Sequence, residues 1–365
     1  MKIICTQENL KNGLTMVSRI ISSSNTLPIL NNVLLKTDQG QLQILATNLE
    51  IGITTTVRCK VEQEGSVCLP AKTLTDLINN LPNENVTLQD GENGVVVTTQ
   101  NYKTVLKSLP SEEFPIIPTI EKPGSVVLPA QEFKRAIDQV SFSASNSETQ
   151  PEVSGVLFKL NGSEGRLAAT DRYRLAEKVI SLPKSGPEKS IIIPHKSINE
   201  LSRIIGGLDG DIELVLADNQ LAAFFRETHL VTRLIDGQYP DYRQIIPASF
   251  STAIITDRAA LVNALKATGI FSYTTHSVSL AYDSGNQQIR ISASSHDVGE
   301  SVVEVPAQID GPEGTVLLNY RYVLDVLQAV ASEQVVIKVV NDTAPVVFAP
   351  QGQQDYLYLV MPIKS

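Results

Sequence analysis

The feature that most constrains this 365-residue chain is that its sequence is written three times. The segment Leu69-Pro70-Ala71-Lys72-Thr73-Leu74-Thr75-Asp76-Leu77-Ile78 has one counterpart in Ile193-Pro194-His195-Lys196-Ser197-Ile198-Asn199-Glu200-Leu201 and another in Leu318-Asn319-Tyr320-Arg321-Tyr322-Val323-Leu324-Asp325-Val326-Leu327. Each reads as a strand end running into an amphipathic helix. A second landmark of small and polar residues recurs as Ala46-Thr47-Asn48, Ala168-Ala169-Thr170 and Ile291-Ser292-Ala293. Every unit closes on an aromatic residue or Met before proline: Phe114-Pro115, Tyr239-Pro240 and Met361-Pro362. The repeat is roughly 120 residues long, which is a whole domain copied in tandem rather than a solenoid unit.

The order of elements repeats as well. Each unit opens with a helix whose apolar residues share one face, as in Leu10, Leu14, Val17 and Ile21, then Phe133, Ile137 and Val140, then Leu261 and Leu265. Paired strands follow, from Asn32 to Leu45, Gly155 to Ala168 and Ser277 to Ala293. Turn chemistry falls at Asp38-Gln39-Gly40, Asn161-Gly162-Ser163 and Asp283-Ser284-Gly285. The predicted fold class is α+β: three tandem domains, each of two helices packed on two antiparallel sheets. The domains are expected at 1–120, 125–248 and 252–365, with boundaries in the polar, proline-bearing stretches near Glu121 to Gly124 and Ala248 to Ser251. The six helices are expected at 6–22, 72–82, 131–145, 195–206, 257–272 and 319–333.

A catalytic reading finds little to stand on. The four histidines include His195 at the head of a helix and His229 in a strand, while His276 and His296 have neither metal spacing nor a paired nucleophile. Asp171 in its turn is expected to bond nearby main-chain amides rather than to act as an acid or base. The three cysteines, Cys5, Cys59 and Cys68, are scattered and read as buried free thiols, with neither a disulfide framework nor a zinc site. No glycine-rich phosphate loop is present to bind ATP. A hydrophobic fraction of 42% without any long apolar run indicates a soluble chain with no membrane partner. The opening Met1-Lys2-Ile3-Ile4-Cys5-Thr6-Gln7 reads as a strand rather than a signal peptide, so the expected location is the cytoplasm.

At this point the sequence resembles the beta sliding clamp family of bacterial DNA polymerase III, over essentially its whole length. The resemblance is carried by Thr26-Leu27-Pro28-Ile29-Leu30, Thr170-Asp171-Arg172-Tyr173-Arg174-Leu175-Ala176, Asp236-Gly237-Gln238-Tyr239-Pro240-Asp241-Tyr242 and Leu359-Val360-Met361-Pro362-Ile363-Lys364, in that order within the threefold repeat. It implies a non-enzymatic processivity factor without a cofactor, a homodimer joined head to tail into a ring around double-stranded DNA. Its implied partners are the replicative DNA polymerase, an ATP-dependent clamp loader and other proteins carrying a clamp-binding motif.

The net charge of −9 argues against a DNA partner unless the charge is unevenly placed. The six expected helices hold ten basic residues, Lys11, Arg19, Lys72, Lys134, Arg135, Lys196, Arg203, Arg258, Lys266 and Arg321, against eight acidic ones. They carry +2, leaving −11 for the remainder of the chain. These ten are the candidate DNA-contacting residues, and Lys196 matches a DNA-contacting lysine of the family. A weakly positive lining suits sequence-independent sliding.

The resemblance also implies a partner-peptide groove formed by Val153, Thr170, Arg172, Tyr173, Arg174, Leu175, Pro240, Ile245, Asn319, Tyr322, Val346, Leu359, Val360, Met361 and Pro362. An apolar floor with an adaptable Met would accept Leu or Phe, with Arg174 and main-chain groups orienting an extended segment. The chain departs from the family at Arg172, where a small residue is common, and at Gln244 and Lys364, where Arg is common. For the dimer interface, Ile270 and Phe271 match the family's apolar positions, and Lys103 is expected to face Asp297, Glu300 and Glu304.

Overall fold

The computed structural model describes residues 1–21, 27–118, 120, 124–145, 147 and 149–364. Ser22 of the first expected helix, Thr26 of the first family motif and positions 121–123 of the first expected boundary lie outside the described residues.

Six α-helices are present among the described residues: α1 Gln7–Val17, α2 Ala71–Asn80, α3 Ala130–Val140, α4 His195–Ile205, α5 Arg258–Gly269 and α6 Tyr320–Ala329. Their starts follow local chemistry. The Thr6 hydroxyl accepts from Asn9 N–H, Asp257 from Ala260 N–H and Asn319 from Arg321 N–H, each satisfying a free amide of a first turn. Four of them end short of the expected positions for two reasons. Pro82 holds Leu81 extended at ψ 150°, which stops α2. In each repeat the opening helix tightens instead into a 3₁₀ turn, at Ser18–Ile20, Ser141–Ser143 and Ile270–Ser272. Serine competes locally for backbone groups, and a short tight turn can still carry apolar residues at helix-like spacing, which is why sequence periodicity runs past the true end.

By internal packing the chain forms two units, Met1–Gln131 with Asn199–Leu234, and Glu132–Ile198 with Ile235–Ser365. The first unit holds a five-stranded antiparallel sheet in the order Lys60–Gln63, Lys2–Thr6, Asn85–Gly91, Gly94–Thr98, Lys103–Leu106. Its second sheet has eight strands, ordered Val126–Pro129, Asp211–Leu216, Gln220–Phe225, Thr228–Arg233, Ile51–Val57, Gln41–Thr47, Asn32–Asp38, Ser66–Pro70. Strands of the second repeat therefore continue directly into those of the first, with Leu230 opposite Ile53 and Thr232 opposite Ile51. Helix α1 buries Leu10, Leu14 and Val17, and α2 buries Leu74 and Ile78. A Cβ at Gly13 would lie 2.6 Å from Val57 Cγ2, so α1 owes its close seat on the sheet to that glycine. Removing a mid-helix glycine ordinarily gains about 1 kcal/mol, and here steric overlap opposes it.

The second unit holds ten strands in the order Gly155–Thr170, Arg174–Pro194, Tyr356–Val360, Val346–Pro350, Gln334–Val339, Thr252–Asp257, Gly299–Asp310, Gln288–Ser295, Ser277–Asp283, Gly314–Asn319. Phe133, Ile137 and Val140 of α3, Leu261 and Leu265 of α5, and Val323 and Leu327 of α6 are all fully buried. Two of the three expected turns form as read. Gln39 and Gly40 take φ of +49° and +76° between paired strands, and Asp283 Oδ1 accepts from the amides of Gly285 and Asn286. Asn161-Gly162-Ser163 instead lies inside the extended run Gly155–Thr170. There Gly162 has φ of +61° and pairing with Arg174–Pro194 shifts register on both sides.

Candidate functional site

The carboxyl end of the strand Gly155–Thr170 turns through Asp171, Arg172 and Tyr173 into Arg174–Pro194, and the turn is fixed by its own side chains. The Thr170 hydroxyl donates to Arg174 O at 2.6 Å and accepts from Arg172 N–H at 3.0 Å. Asp171 Oδ1 accepts from the amides of Tyr173 and Arg174, both at 3.0 Å. This places Arg172 at φ +79° and leaves Tyr173 65% exposed. The first repeat builds the same turn. Thr47 donates to Ile51 O at 2.9 Å, Asn48 Oδ1 accepts from Glu50 and Ile51, and Leu49 has φ +76°. The equivalence is Thr47-Asn48 with Thr170-Asp171, one residue later than the landmark alignment of Ala46 with Ala168, because adjacent alanines in the second repeat blur the register.

Arg174 anchors the site. Its Nε donates to Asp171 Oδ2 at 2.9 Å, Nη1 to Asp325, and Nη2 to Phe142 O at 2.8 Å, and the guanidinium lies over the Tyr322 ring. Burial opposes the charge, yet the oxygens of Tyr358, Asp171 and Asp325 hold its pKa above the ordinary arginine value. The strand that starts at Arg174 then pairs with Tyr356–Val360, placing Arg174 opposite Val360 and Leu175 opposite Leu359. Val346 lies opposite Val360 on the next strand, and Met361 N–H donates to Tyr173 O at 2.8 Å.

Leu175 and Leu359 share a core cluster with Leu157, Ile192, Tyr242 and Val347, and Tyr239 and Met361 pack against it half-buried. The expected groove residues thus separate by depth. Val153, Thr170, Leu175, Val346, Leu359 and Val360 are buried, whereas Tyr322, Asn319, Met361 and Pro362 are half-buried. Arg172, Tyr173, Pro240 and Ile245 are exposed. Asn319 is occupied as the cap of α6, and Ile363 N–H donates to Leu317 O at 2.8 Å, which fixes the chain just past Pro362. Sequence reasoning passed over Tyr242, which donates to Glu177 from within the cluster, and Asp325, which holds Arg174. Tyr242 stands inside a quoted motif, but only the fold gives its hydroxyl a buried carboxylate. Burial pushes its pKa upward.

The ten basic candidates are not alike. Lys11, Arg19, Lys72, Arg135, Lys196, Arg203, Lys266 and Arg321 are exposed. Arg203 lies 3.3 Å from Glu200, and Lys134 is paired with Asp138. Arg258 is a structural residue: its Nε and Nη1 donate to the carbonyls of Ser332 and Leu327, closing the end of α6.

Several strands have a side without a strand partner among the described residues, and two of them bear on the expected interface. Lys103–Leu106 pairs only with Gly94–Thr98, and it carries the exposed Val105 next to Lys103, with exposed Tyr102 just before it. Gly299–Asp310 pairs through its first part with Gln288–Ser295 and through its last four residues with Thr252–Asp257. Its first part keeps one free side beside exposed Val298 and Val302. Ile270 and Tyr273 are exposed and Phe271 is half-buried. Asp297 and Glu300 are exposed, while Glu304 is held by Arg290 at 2.8 Å. Of these apolar residues, Tyr102, Val105, Tyr273, Val298 and Val302 carry no sequence signal beyond their type.

No group of three or more His, Cys, Asp or Glu suited to a metal occurs among the described residues. Residues 1–118, 127–241 and 243–364 match the N-terminal, central and C-terminal domains of the DNA polymerase III beta subunit. The chain belongs to the beta sliding clamp family. The beta sliding clamp of Synechococcus elongatus is 31% identical, covering 100% of this chain and 99% of that one. The Synechocystis clamp is 30% identical with the same coverage. Among solved structures, the beta subunit of Thermotoga maritima superposes with a TM-score of 0.94 at 26% identity, covering 100% of this chain and 99% of that chain. The Pseudomonas aeruginosa sliding clamp, solved bound to griselimycin, superposes at 0.95 and 27% over the whole of both chains. Like the family, this chain is three tandem clamp domains, a non-catalytic sliding clamp of DNA replication.

Proposed function

We propose that the chain closes head to tail with a second copy into a ring that encircles duplex DNA, and that it tethers a polymerase through the groove built on Arg174–Lys178 and Tyr356–Val360. The observation that supports the tethering is how these segments meet. Strands from two repeats meet in register, the tail from Met361 is pinned to the turn at Tyr173, and an apolar floor lies beside exposed Tyr173, Pro240 and Ile245. An extended peptide docking there would place Leu or Phe on the side of the sheet that carries Leu175 and Leu359. The same groove would serve an ATP-dependent loader and other proteins bearing such a segment.

Ring closure is supported by two of the open edges. Pairing Lys103–Leu106 of one copy with the free side of Gly299–Glu304 of the other would satisfy both rows of backbone groups and cover Val105, Ile270, Tyr273, Val298 and Val302. Lys103 then meets Asp297 and Glu300, while Glu304 keeps Arg290. The DNA-contacting set comprises the exposed Lys11, Arg19, Lys72, Arg135, Lys196, Arg203, Lys266 and Arg321. Their contacts are to phosphates and carry no base specificity. The copied domains are taken as 1–120, 125–248 and 252–365, and the protein acts in the cytoplasm, where the chromosome is replicated. No helix among the described residues is long and apolar enough to cross a membrane.

The decisive test loads the protein, with a clamp loader and ATP, onto nicked circular DNA and follows its retention on gel filtration before and after linearisation. Retention on the circle and loss from the linear form supports encirclement. Equal retention on both forms would reduce the protein to a DNA-associated partner-binding array.

A further inference from the structure

We infer that Arg172 is a specificity-determining residue of the partner groove, selecting extended segments that carry a carboxylate close to their apolar anchors. This rests on the groove reading above. Two arginines stand two residues apart in this turn and differ in what they have left to offer. Arg174 spends Nε, Nη1 and Nη2 on Asp171, Asp325 and Phe142 O, and lies over Tyr322. It shapes the groove and has little left to give a ligand. Arg172 is exposed, and its guanidinium enters no ion pair among the described residues.

Its backbone makes the choice of residue informative. At φ +79° a side chain is strained, and glycine would fit without cost. The strain belongs to the turn: Thr170 and Asp171 impose it, just as Thr47 and Asn48 impose φ +76° on Leu49 in the first repeat. Because the same turn closes around a leucine, nothing in its folding calls for a guanidinium. Arginine at this position therefore adds an unpaired cation to the rim at some cost to the backbone.

The surrounding charges agree. Asp171 and Asp325 are both taken up by Arg174. Asp241 accepts from Gln244 Nε2 at 2.8 Å, and Arg243 and Lys364 are exposed cations on the flanking segments. A segment ending its approach beside Tyr173 meets Arg172 as a donor for a charge-assisted hydrogen bond.

The test uses the full-length protein and fluorescence anisotropy. The probes are short peptides with Leu-Phe anchors in which one Glu is moved through the remaining positions, each with its Gln counterpart. At one position or more, Glu should bind about threefold to fivefold tighter than Gln, the size expected of an exposed ion pair, and the preference should shrink as salt is raised. In Arg172→Gly the Glu and Gln peptides should bind alike, and the melting temperature should hold or rise as the strain is released. Arg172→Gln should also lose the preference while keeping a long side chain. Equal binding of Glu and Gln peptides by the unaltered protein, or an undiminished preference in Arg172→Gly, overturns the inference. Failure of every peptide, charged or neutral, is a different result: it removes the groove reading and this inference with it.

Discussion

The guanidinium of Arg174 lies 4.5 Å from the centre of the Tyr322 ring, so a cation from the second repeat caps an aromatic face on α6 of the third. Asp325, one turn further along the helix, takes the same guanidinium from the side. With a side chain only 12% exposed, Arg174 is close to a buried ion-paired anchor. Its replacement by Ala leaves Asp171 and Asp325 without their partner, at a cost of about 2–4 kcal/mol. Urea unfolding should show that loss, and groove peptides should weaken together whatever their charge. Arg172→Gly should leave no such loss in urea unfolding.

Arg258 and Lys266 lie on the same helix and should part company in mutagenesis. Arg258→Ala frees the carbonyls of Leu327 and Ser332 and should lower stability by about 1–3 kcal/mol, read as a fall in thermal midpoint. Lys266→Glu should leave the midpoint within about 0.5 kcal/mol of the original and instead shorten retention on circular DNA, more strongly at low salt.

At the open edges, Val302→Lys and Tyr273→Ala should each weaken the homodimer, seen as a shift toward the 39.7 kDa species in sedimentation as protein is diluted. Glu304→Gln should do less, because Glu304 is already engaged by Arg290. If Val302→Lys dimerises as well as the unaltered protein, the free side of Gly299–Glu304 is not part of the interface.

Alkaline pH should act on the folded chain through its buried phenols and thiols. Burial raises Tyr239, Tyr242 and Tyr358 above the ordinary value of 10.0, and raises Cys68 to about 11 and Cys5 to about 12. Such groups keep their protons in the folded chain after the unfolded chain has lost them. Their stabilising contribution is therefore full below pH 9 and is withdrawn as pH climbs through 10 and beyond. The part of the tyrosinate absorbance that comes from Tyr239, Tyr242 and Tyr358 should consequently appear together with unfolding rather than before it. At neutral pH, Cys5 and Cys68 should alkylate slowly until denaturant is added.

Sequence alone showed the threefold repeat, the order of elements, the helix faces and the proline-marked ends, because these depend on residues a few positions apart. It missed what depends on distance. The union of Thr228–Arg233 with Ile51–Val57 and the tie from Arg174 to Asp325 join residues more than a hundred positions apart, and no periodicity records them. The helix ends overran because Ile20, Phe142 and Ile270 keep apolar spacing within 3₁₀ turns. Within the site, the family motifs marked segments that the fold brings together. Only the hydrogen bonds separated an arginine locked into the scaffold from its neighbour left at the surface.

The eight-stranded sheet draws on two repeats, so the segment copied in tandem and the segment that packs as one body are different stretches of chain. Cutting after the first copy would strip Ile51–Val57 of the neighbour that covers its outer edge and leave a sticky margin of bare amides and carbonyls. Hydrogen exchange should accordingly find Ile53 and Leu230 protected to the same degree and released in the same event, although each belongs to a different ancestral copy.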